Sequence, residues 1–341
     1  MHTAPRIARF VARDGSPRIG LVLQSSQGLP HRFLDLTARH RLGPGLLDFV
    51  AAGGFERAEE ELGRYDGGIE GANEVTLEPD ELPHRLLSPV DIDAAQLDSG
   101  ARLVVGFGLT FRSHRDETGS ARPFVFPKPT VPTGAYAPVV TGGGDEGRVA
   151  LLDYELELGC VTLREIDLDR LDQVDAASDF GYLVVNDVTA RGPILRDRRA
   201  GYARAKARPT YLPCGPWLVA GTHFTQDAPA LRRMVLTVTE ATAFGGGDHG
   251  RHTLRQNARL EDLTLGLREL LELVSRRRSL TMTGQDGRHW PISVERYGRR
   301  IIPAGSLLLT GTPGGTVRFT LTRPPPASSM MSTSSMSSSV R

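Results

Sequence analysis

The chain has 341 residues, of which 39% are hydrophobic and 24% are charged, and its formal net charge is +1. This composition is ordinary for a globular protein with a sizeable core. The near-neutral charge gives no general attraction to nucleic acid or anionic lipid, and no apolar run reaches the length of about 18 residues that a transmembrane helix needs. The two cysteines cannot build a disulfide framework, and the N-terminus lacks an apolar signal region. We therefore expect a cytoplasmic protein with no nucleic-acid or membrane partner.

The first third of the chain places strand patterns before helical ones. Residues 7–37 read as short alternating strands around the turn signal Asp14-Gly15. From residue 44 to residue 64 the apolar positions follow helical spacing instead. These patterns predict a small N-terminal domain over residues 1–95.

The rest of the chain is predicted to be mainly β. Residues 96–322 contain short apolar runs broken by Pro and Gly, which favour strands over helices. The clearest helix is expected over residues 261–278, where Leu263 and Leu267 begin an apolar face at helical spacing. The tail, residues 323–341, is rich in Pro, Ser and Met and cannot build a core, so we expect it to be disordered.

The stretch DYELELGC, residues 153–160, places carboxylates at alternate positions. On a strand Glu155 and Glu157 point to the same side, whereas on a helix they would point in nearly opposite directions. A solvated outer face is the simpler explanation, and a cation site is the alternative. A second apolar run, residues 180–185, leads directly to another carboxylate, Asp187. Three such oxygen ligands without cysteine select Mg²⁺, Mn²⁺ or Ca²⁺ over zinc.

Two further stretches carry candidate catalytic groups. His114 and Glu117 lie three residues apart, so one helical turn would place them on the same side. A carboxylate that holds one imidazole nitrogen leaves the other as a general base, although a surface pair is the simpler explanation. Lys128 lies between prolines in an extended segment, where its ammonium either stabilises an oxyanion or is simply exposed.

The segment from residue 190 to residue 209 is basic and includes Arg191 and Lys206. An RNA-binding arm and a solvated loop are two explanations for such a run of charge. A lid whose cations meet an anionic substrate fits better, because Gly201 and Tyr202 would allow the segment to move and close.

Six fragments, taken in order, resemble the fumarylacetoacetate hydrolase family: VGFGLTFRSHRDE, RPFVFPKPT, DYELELG, GYLVVNDVTAR, LPCGPWLV and LLLTGTPGG. The resemblance covers roughly residues 5–320. It implies an α+β, mainly β fold, in which a mixed β-roll catalytic core follows a small N-terminal α/β domain. It also implies a divalent metal ion, usually Mg²⁺, and a homodimer. The chain departs from the family at GFGLTF, at Gly192, and by an insertion over residues 281–300.

Carried over by position, the resemblance implies three sets of site residues. They are the metal ligands Glu155, Glu157 and Asp187, the catalytic residues His114, Glu117 and Lys128, and the substrate-binding residues Lys206, Gln256 and Thr312. The ligands are the same three carboxylates that the strand patterns bring forward. The substrate set rests on the resemblance alone.

The resemblance and the carboxylates together imply an enzyme that acts on a small anionic oxo acid, in the breakdown of aromatic compounds. We expect a hydrolase that cleaves a C–C bond in a fumarylacetoacetate- or acylpyruvate-like acid through a metal-stabilised enolate. His114, oriented by Glu117, would activate the attacking water. An oxo-acid decarboxylase, a hydroxymuconate-type isomerase and a catalytically silent binding protein are the alternatives.

Overall fold

The computed structural model describes residues 4–26, 29–66, 73–119, 122–140, 151–196, 205–223, 235–242, 251–277, 280–283, 288–316 and 336–340. The strands are β1 (Ile7–Val11), β2 (Pro17–Ser26), β3 (Leu29–Asp35), β4 (Glu74–Thr76), β5 (Leu86–Leu87), β6 (Val104–Gly108), β7 (Phe124–Pro127), β8 (Thr133–Gly134), β9 (Leu152–Asp153), β10 (Leu156–Thr162), β11 (Ile166–Asp167), β12 (Phe180–Asn186), β13 (Thr189–Ala190), β14 (Pro213–Ala220), β15 (Val235–Thr242), β16 (Arg251–Arg259), β17 (Thr281–Thr283), β18 (His289–Pro291), β19 (Val294–Arg296), β20 (Arg299–Ile302), β21 (Leu307–Leu309) and β22 (Met336–Val340). The helices are α1 (Leu36–His40), α2 (Leu46–Ala51), α3 (Gly54–Asp66), α4 (Leu82–Arg85), α5 (Ala94–Asp98), α6 (Arg112–Thr118), α7 (Arg191–Arg196) and α8 (Leu267–Arg276).

One mixed sheet of 12 strands dominates the described part of the chain. Its order is β4-β3-β2-β1-β14-β12-β10-β21-β6-β7, with β5 beside β1 and β8 beside β14. The pairs β6–β21 and β8–β14 are parallel, and the other pairs in the sheet are antiparallel. The prediction of a mainly β, α+β fold with few helices is therefore confirmed.

The N-terminal strands extend the same sheet, because β1 pairs directly with β14. A division of the chain at residue 95 into two domains stays a prediction. Within the described ranges, no helix is both long enough and apolar enough to cross a membrane.

Strand β10 lies inside the sheet between β12 and β21, and all seven of its residues are buried. Leu156, Leu158 and Cys160 pack into one apolar cluster together with the buried face of α8. Val161 points to the opposite face of the sheet and belongs to a second apolar cluster, which also contains Val185. Burying one such aliphatic side chain contributes roughly 1.5–3 kcal/mol, so apolar packing on both faces holds this strand in place.

The predicted helix over residues 261–278 is shorter in the structure. It begins at Leu267, because Gly266 takes an extended N-cap conformation with φ −72° and ψ 173°. The prediction was wrong for Leu263, which lies before the helix and forms an isolated β-bridge with Phe111. The apolar face of α8 itself is buried as expected.

The disorder predicted for the tail stays a prediction. Within the tail, residues 336–340 form β22, which pairs antiparallel with β15. A strand edge offers unpaired backbone groups, so a segment with few large apolar side chains can still pair with it. The rest of the predicted tail, residues 323–335 and 341, lies outside the described residues.

Candidate metal centre

Antiparallel pairing of β10 with β12 gathers the three predicted ligands. Leu156 faces Asn186 in the register of the two strands. The next residues outward, Glu155 and Asp187, therefore meet, and the Asp187 N–H donates to the Glu155 carbonyl oxygen at 2.8 Å. One carboxylate oxygen from each of Glu155, Glu157 and Asp187 lies within 4.8 Å of the others, and all three residues are buried. A solvated outer face is excluded because this face of the strand is buried.

The row of carboxylates continues to Asp153, which pairs with an arginine. Arg191 Nε donates to Asp153 Oδ2 at 2.7 Å, and its Nη2 contacts Glu155 Oε1. Pairing of β9 with β13 places Asp153 opposite Thr189, so the chain enters α7 beside the carboxylates. The interpretation of the basic segment as a lid did not anticipate that Arg191 pairs with these carboxylates. The position of Arg191, four residues after Asp187, was the sequence signal that could have indicated this pairing.

Two lysines complete this ionic network. Lys206 Nζ lies 2.6 Å from Glu155 Oε2 and 2.5 Å from Asp187 Oδ2. Lys128 Nζ lies 2.5 Å from Asp187 Oδ1 and donates to the carbonyl oxygens of Val188, at 3.3 Å, and Lys206, at 3.0 Å. Asp187 Oδ1 is an ion-pair partner of this ammonium but has no hydrogen-bond partner among the described residues, so Lys128 makes two hydrogen bonds and one ion pair. A role for Lys128 as an oxyanion donor stays a prediction.

The surrounding charges act differently on the two glutamates. Burial acts to raise the pKa of Glu155, but the charges of Arg191 and Lys206 outweigh it and bring this pKa down to about 2. Burial raises the pKa of Glu157 well above its ordinary value of 4.5, and the negative charges of Asp187 and Glu155 raise it further. The Glu157 carboxylate is therefore the one whose negative charge the protein compensates least.

The donor set fits a hard divalent ion. Within the described chain, the network comprises four carboxylates, of Asp153, Glu155, Glu157 and Asp187, and three cations, of Lys128, Arg191 and Lys206. The ligand group is made of carboxylate oxygens alone, which suits Mg²⁺, Mn²⁺ or Ca²⁺. A divalent ion would supply the positive charge that Glu157 lacks, and its binding would favour the ionised form of this carboxyl.

Helix α6 brings the predicted acid–base pair together. His114 Nδ1 lies 3.3 Å from Glu117 Oε2, and His114 is buried. Glu117 Oε1 accepts a hydrogen bond of 2.6 Å from the Gly315 N–H, which holds the carboxylate in place. The charge of His114 also helps to lower the pKa of Glu155, so the pair lies beside the carboxylates. Its catalytic role stays a prediction.

Gln256 and Thr312 contact each other below the surface. Gln256 Oε1 accepts from the Leu156 N–H at 3.0 Å, and Nε2 donates to Thr312 Oγ1 at 2.8 Å and to the Pro313 carbonyl at 3.0 Å. These bonds attach the segment 310–316 to the start of β10. They show a structural role, and the predicted substrate contacts of both residues stay predictions.

Replacing Gly311 by alanine is expected to weaken metal binding. Gly311 has φ +98°, and its N–H donates to Glu157 Oε2 at 2.7 Å. A Cβ at this position would collide with Thr110 Oγ1 and lie 3.0 Å from the Phe107 carbonyl oxygen. We expect Gly311→Ala to lose about 1–3 kcal/mol of unfolding free energy and to bind Mg²⁺ more weakly. Urea unfolding and calorimetric Mg²⁺ titration would measure the two effects.

Gly298→Ala provides the matched control. Gly298 also has a positive φ, +71°, but a Cβ there would have nothing within 4 Å. This variant should lose about 1 kcal/mol and keep its Mg²⁺ affinity. Equal affinities in both variants would show that the Gly311 N–H does not hold Glu157 in its binding geometry.

The match to known families agrees with this geometry. The profile of the fumarylacetoacetate (FAA) hydrolase C-terminal family matches residues 103–336, which is more than half of the chain. The chain belongs to the fumarylacetoacetate hydrolase family. The matched range includes the three carboxylates of the triad and the His114–Glu117 pair, and the predicted family resemblance is confirmed.

Known relatives of this family member catalyse more than one reaction. The chain is 28% identical over 232 residues to an oxaloacetate tautomerase of Bacillus subtilis, a match that covers 65% of this chain and 62% of the relative. It is 34% identical over 126 residues to a maleylpyruvate hydrolase of Aquipseudomonas alcaligenes, which covers 36% of each. The chain thus spans less than two thirds of either relative.

A solved structure extends the similarity over the length of the chain. The fumarylacetoacetate hydrolase of Exiguobacterium antarcticum aligns with a TM-score of 0.58 and 21% identity, covering 99% of this chain and 95% of that one. At this identity the similarity shows the fold alone. It agrees with a family fold that includes the N-terminal strands.

Proposed function

We propose that this chain is a Mg²⁺-dependent hydrolase that cleaves a C–C bond in a small, anionic 1,3-diketo or 2-oxo acid. The observation that carries the proposal is the buried triad of Glu155, Glu157 and Asp187, with the His114–Glu117 pair beside it. A bound divalent ion would polarise the keto oxygen of the substrate and stabilise negative charge that develops on it.

The charges of the site support an anionic substrate. Among the described residues, four negative and three positive side chains leave one negative charge in the network. A divalent ion adds two positive charges, so the loaded site would carry a net charge of about +1. A buried excess of positive charge favours a carboxylate over a neutral ligand.

His114 is proposed to move the proton. Glu117 Oε2 lies 3.3 Å from Nδ1 and orients the ring, and the imidazole is proposed to take a proton from water. The Gly315 N–H fixes Glu117 from the other side, so the imidazole has an oriented and charged partner. Such a pair serves hydrolysis, and it equally serves proton transfer at a carbon next to a keto group.

Tautomerisation is the second candidate, and two observations favour it. The buried ammonium of Lys128 pairs with Asp187 and donates to two carbonyl oxygens of the protein, and these contacts compete with the oxyanion that hydrolysis would have it stabilise. Proton transfer alone does not require Lys128 to act in this way. The relative that matches the larger share of this chain is an oxaloacetate tautomerase. Decarboxylation and hydroxymuconate-type isomerisation would use the same residues.

The family also supports three broader proposals about the protein. We propose a homodimer, a cytoplasmic location and a role in the breakdown of aromatic compounds. The maleylpyruvate hydrolase relative is in keeping with the last of these.

A substrate panel separates the candidates. Acylpyruvates, oxaloacetate and hydroxymuconate-type acids are incubated with the protein and Mg²⁺ or Mn²⁺, with EDTA as the control. Loss of enol absorbance, release of CO₂ and formation of two acid fragments are followed separately. Hydrolysis gives the fragments, decarboxylation gives CO₂, and tautomerisation or isomerisation changes the absorbance without either product.

The outcome decides between enzyme classes as well as reactions. Turnover that requires the metal supports the proposal, and its products identify the reaction. The absence of metal-dependent turnover across the panel, together with retained binding of a substrate acid, would support the catalytically silent binding protein instead.

A further inference from the structure

Lysine is rare in this chain, and both lysines lie in the site. Of the 41 lysine and arginine residues, only Lys128 and Lys206 are lysines, and both are buried among the carboxylates. A guanidinium is a planar fork, whereas an ammonium is a compact point charge on a flexible stem. All the other cationic side chains of the Lys and Arg set are arginines. We interpret the two lysines as positions at which the site requires a compact charge.

Protein cations hold every oxygen of two proposed ligands. Arg191 contacts Glu155 Oε1, and Lys206 contacts Glu155 Oε2. Lys128 lies against Asp187 Oδ1, and Lys206 lies against Asp187 Oδ2. A divalent ion that binds both carboxylates must therefore take oxygens that already have a cationic partner. Two cations on the same pair of oxygens would repel each other strongly in a buried site.

The contacts of Lys128 and Arg191 oppose their displacement. Lys128 also donates to the carbonyl oxygens of Val188 and Lys206. Arg191 also pairs with Asp153, which lies outside the triad and would lose this partner. Release of either cation would break these buried contacts outside the triad, which disfavours its displacement.

Lys206 is held differently from the other two cations. Its Nζ bridges the two ligand carboxylates, and it also lies 5.4 Å from the centroid of the Phe126 ring. Its backbone is fixed, because the carbonyl oxygen accepts from Lys128 Nζ and from Thr130 Oγ1 at 2.9 Å. Among the described residues, both ion-pair partners of its ammonium are ligand carboxylates, so its displacement would break no ion pair outside the ligand group.

We infer that Lys206 is the resident counter-cation of the metal-free site, and that a divalent ion displaces its ammonium from Glu155 and Asp187. This inference rests on the proposed metal centre. The exchange replaces one positive charge on the two carboxylates by the two positive charges of the ion and moves the ammonium out of the ligand group.

Lys206→Met is the variant that tests the exchange. Methionine has a similar length and no charge, so the ion no longer competes with an ammonium for the two carboxylates. Calorimetric titration with MgCl₂ and MnCl₂ should show affinity at least about tenfold higher than that of the wild type. Lys128→Met is the control, because it removes the same charge but leaves Lys206 in place. Its gain in affinity should be clearly smaller.

The two lysines also allow a direct measurement on the wild-type protein. Labelling lysine with ¹³C at Cε gives two side-chain signals, which Lys206→Met and Lys128→Met assign by the loss of one signal each. Addition of Mg²⁺ should shift the Lys206 signal strongly and the Lys128 signal little. The variants are needed only to assign the two signals, and the shift on addition of Mg²⁺ is measured on the wild-type protein.

The results separate this inference from the metal centre itself. Failure of the wild type and both variants to bind Mg²⁺ or Mn²⁺ would overturn the metal centre and the exchange together. Metal binding with equal or lower affinity in Lys206→Met, or with a Lys206 signal that does not move, would overturn the exchange and leave the centre intact. Higher affinity and a shifted Lys206 signal would support both.

Discussion

Replacing Glu157 by glutamine is expected to abolish divalent-ion binding and, at the same time, to stabilise the metal-free protein. Glu157 is buried near two other carboxylates, and burial together with their charges raises its pKa well above 4.5. At pH 7 this side chain therefore destabilises the folded state of the wild-type protein. Glutamine removes the charge and keeps an oxygen that can accept from the Gly311 N–H, which lies 2.7 Å from Oε2.

The expected gain follows from the difference in pKa between the folded and unfolded states. Because the raised folded-state pKa of Glu157 costs stability at pH 7, we expect Glu157→Gln to gain unfolding free energy at pH 7 in EDTA. Because the folded-state pKa is raised, Glu157 costs no stability below pH 4.5, and its cost grows as the pH rises towards the folded-state value. The advantage of the variant should therefore disappear near pH 4.5.

Glu155→Gln is the matched comparison, and its metal-free stability should change in the opposite direction. Arg191 and Lys206 both contact the Glu155 carboxylate, and they bring its pKa down to about 2. Its loss removes one carboxylate from two buried cations, and breaking a buried ion pair typically costs about 3–5 kcal/mol. Both variants should lose the thermal stabilisation by Mg²⁺. A loss of metal-free stability in Glu157→Gln comparable to that in Glu155→Gln would contradict the unequal charge compensation of the two glutamates.

The ligand group could be predicted from the sequence because it depends on local order. Alternation along β10 places Glu155 and Glu157 on one face, and the end of an apolar run marks Asp187. Only the pairing of β10 with β12 was needed to bring them together. The helical spacing of His114 and Glu117 is local in the same way.

The cations around the ligands could not be predicted in this way. Lys206 Nζ reaches Glu155 across a separation of 51 residues, and the Gly315 N–H reaches Glu117 across 198. Such contacts are set by packing between segments, which the spacing along one segment does not contain. Leu263 illustrates the same limit, since it fits the helical period but forms a bridge with Phe111.

The exceptional use of lysine is nevertheless a property of the sequence. The chain has 41 lysine and arginine residues, and only two of them are lysines. This count alone marks the two lysine positions as unusual. The signal lies in the composition of the whole chain and not in a motif. It gains meaning because both lysines contact the same carboxylate, that of Asp187.

Replacing His114 by alanine is expected to remove most of the turnover without removing the metal. Glu157 lies in β10, Glu155 directly precedes that strand, and Asp187 directly follows β12. His114 lies on α6 beside Glu117, so the triad remains in place. Loss of a positioned general base typically lowers the rate by about 10²–10⁴-fold. We expect kcat to fall by this amount on the best substrate of the panel. The Mg²⁺ affinity from calorimetry should stay within about threefold of the wild type.

Two comparisons distinguish proton transfer from a loss of structure. Added imidazole should partly restore the turnover of His114→Ala, because it can take the place of the missing ring, and it should not affect the wild type. Glu117→Gln keeps an oxygen near the Gly315 N–H but loses the charge beside Nδ1. Its kcat should therefore fall less than that of His114→Ala, and its activity should depend on pH differently. If His114→Ala turned over the substrate at the wild-type rate, the proton would have to move through another group, and the pair would be structural.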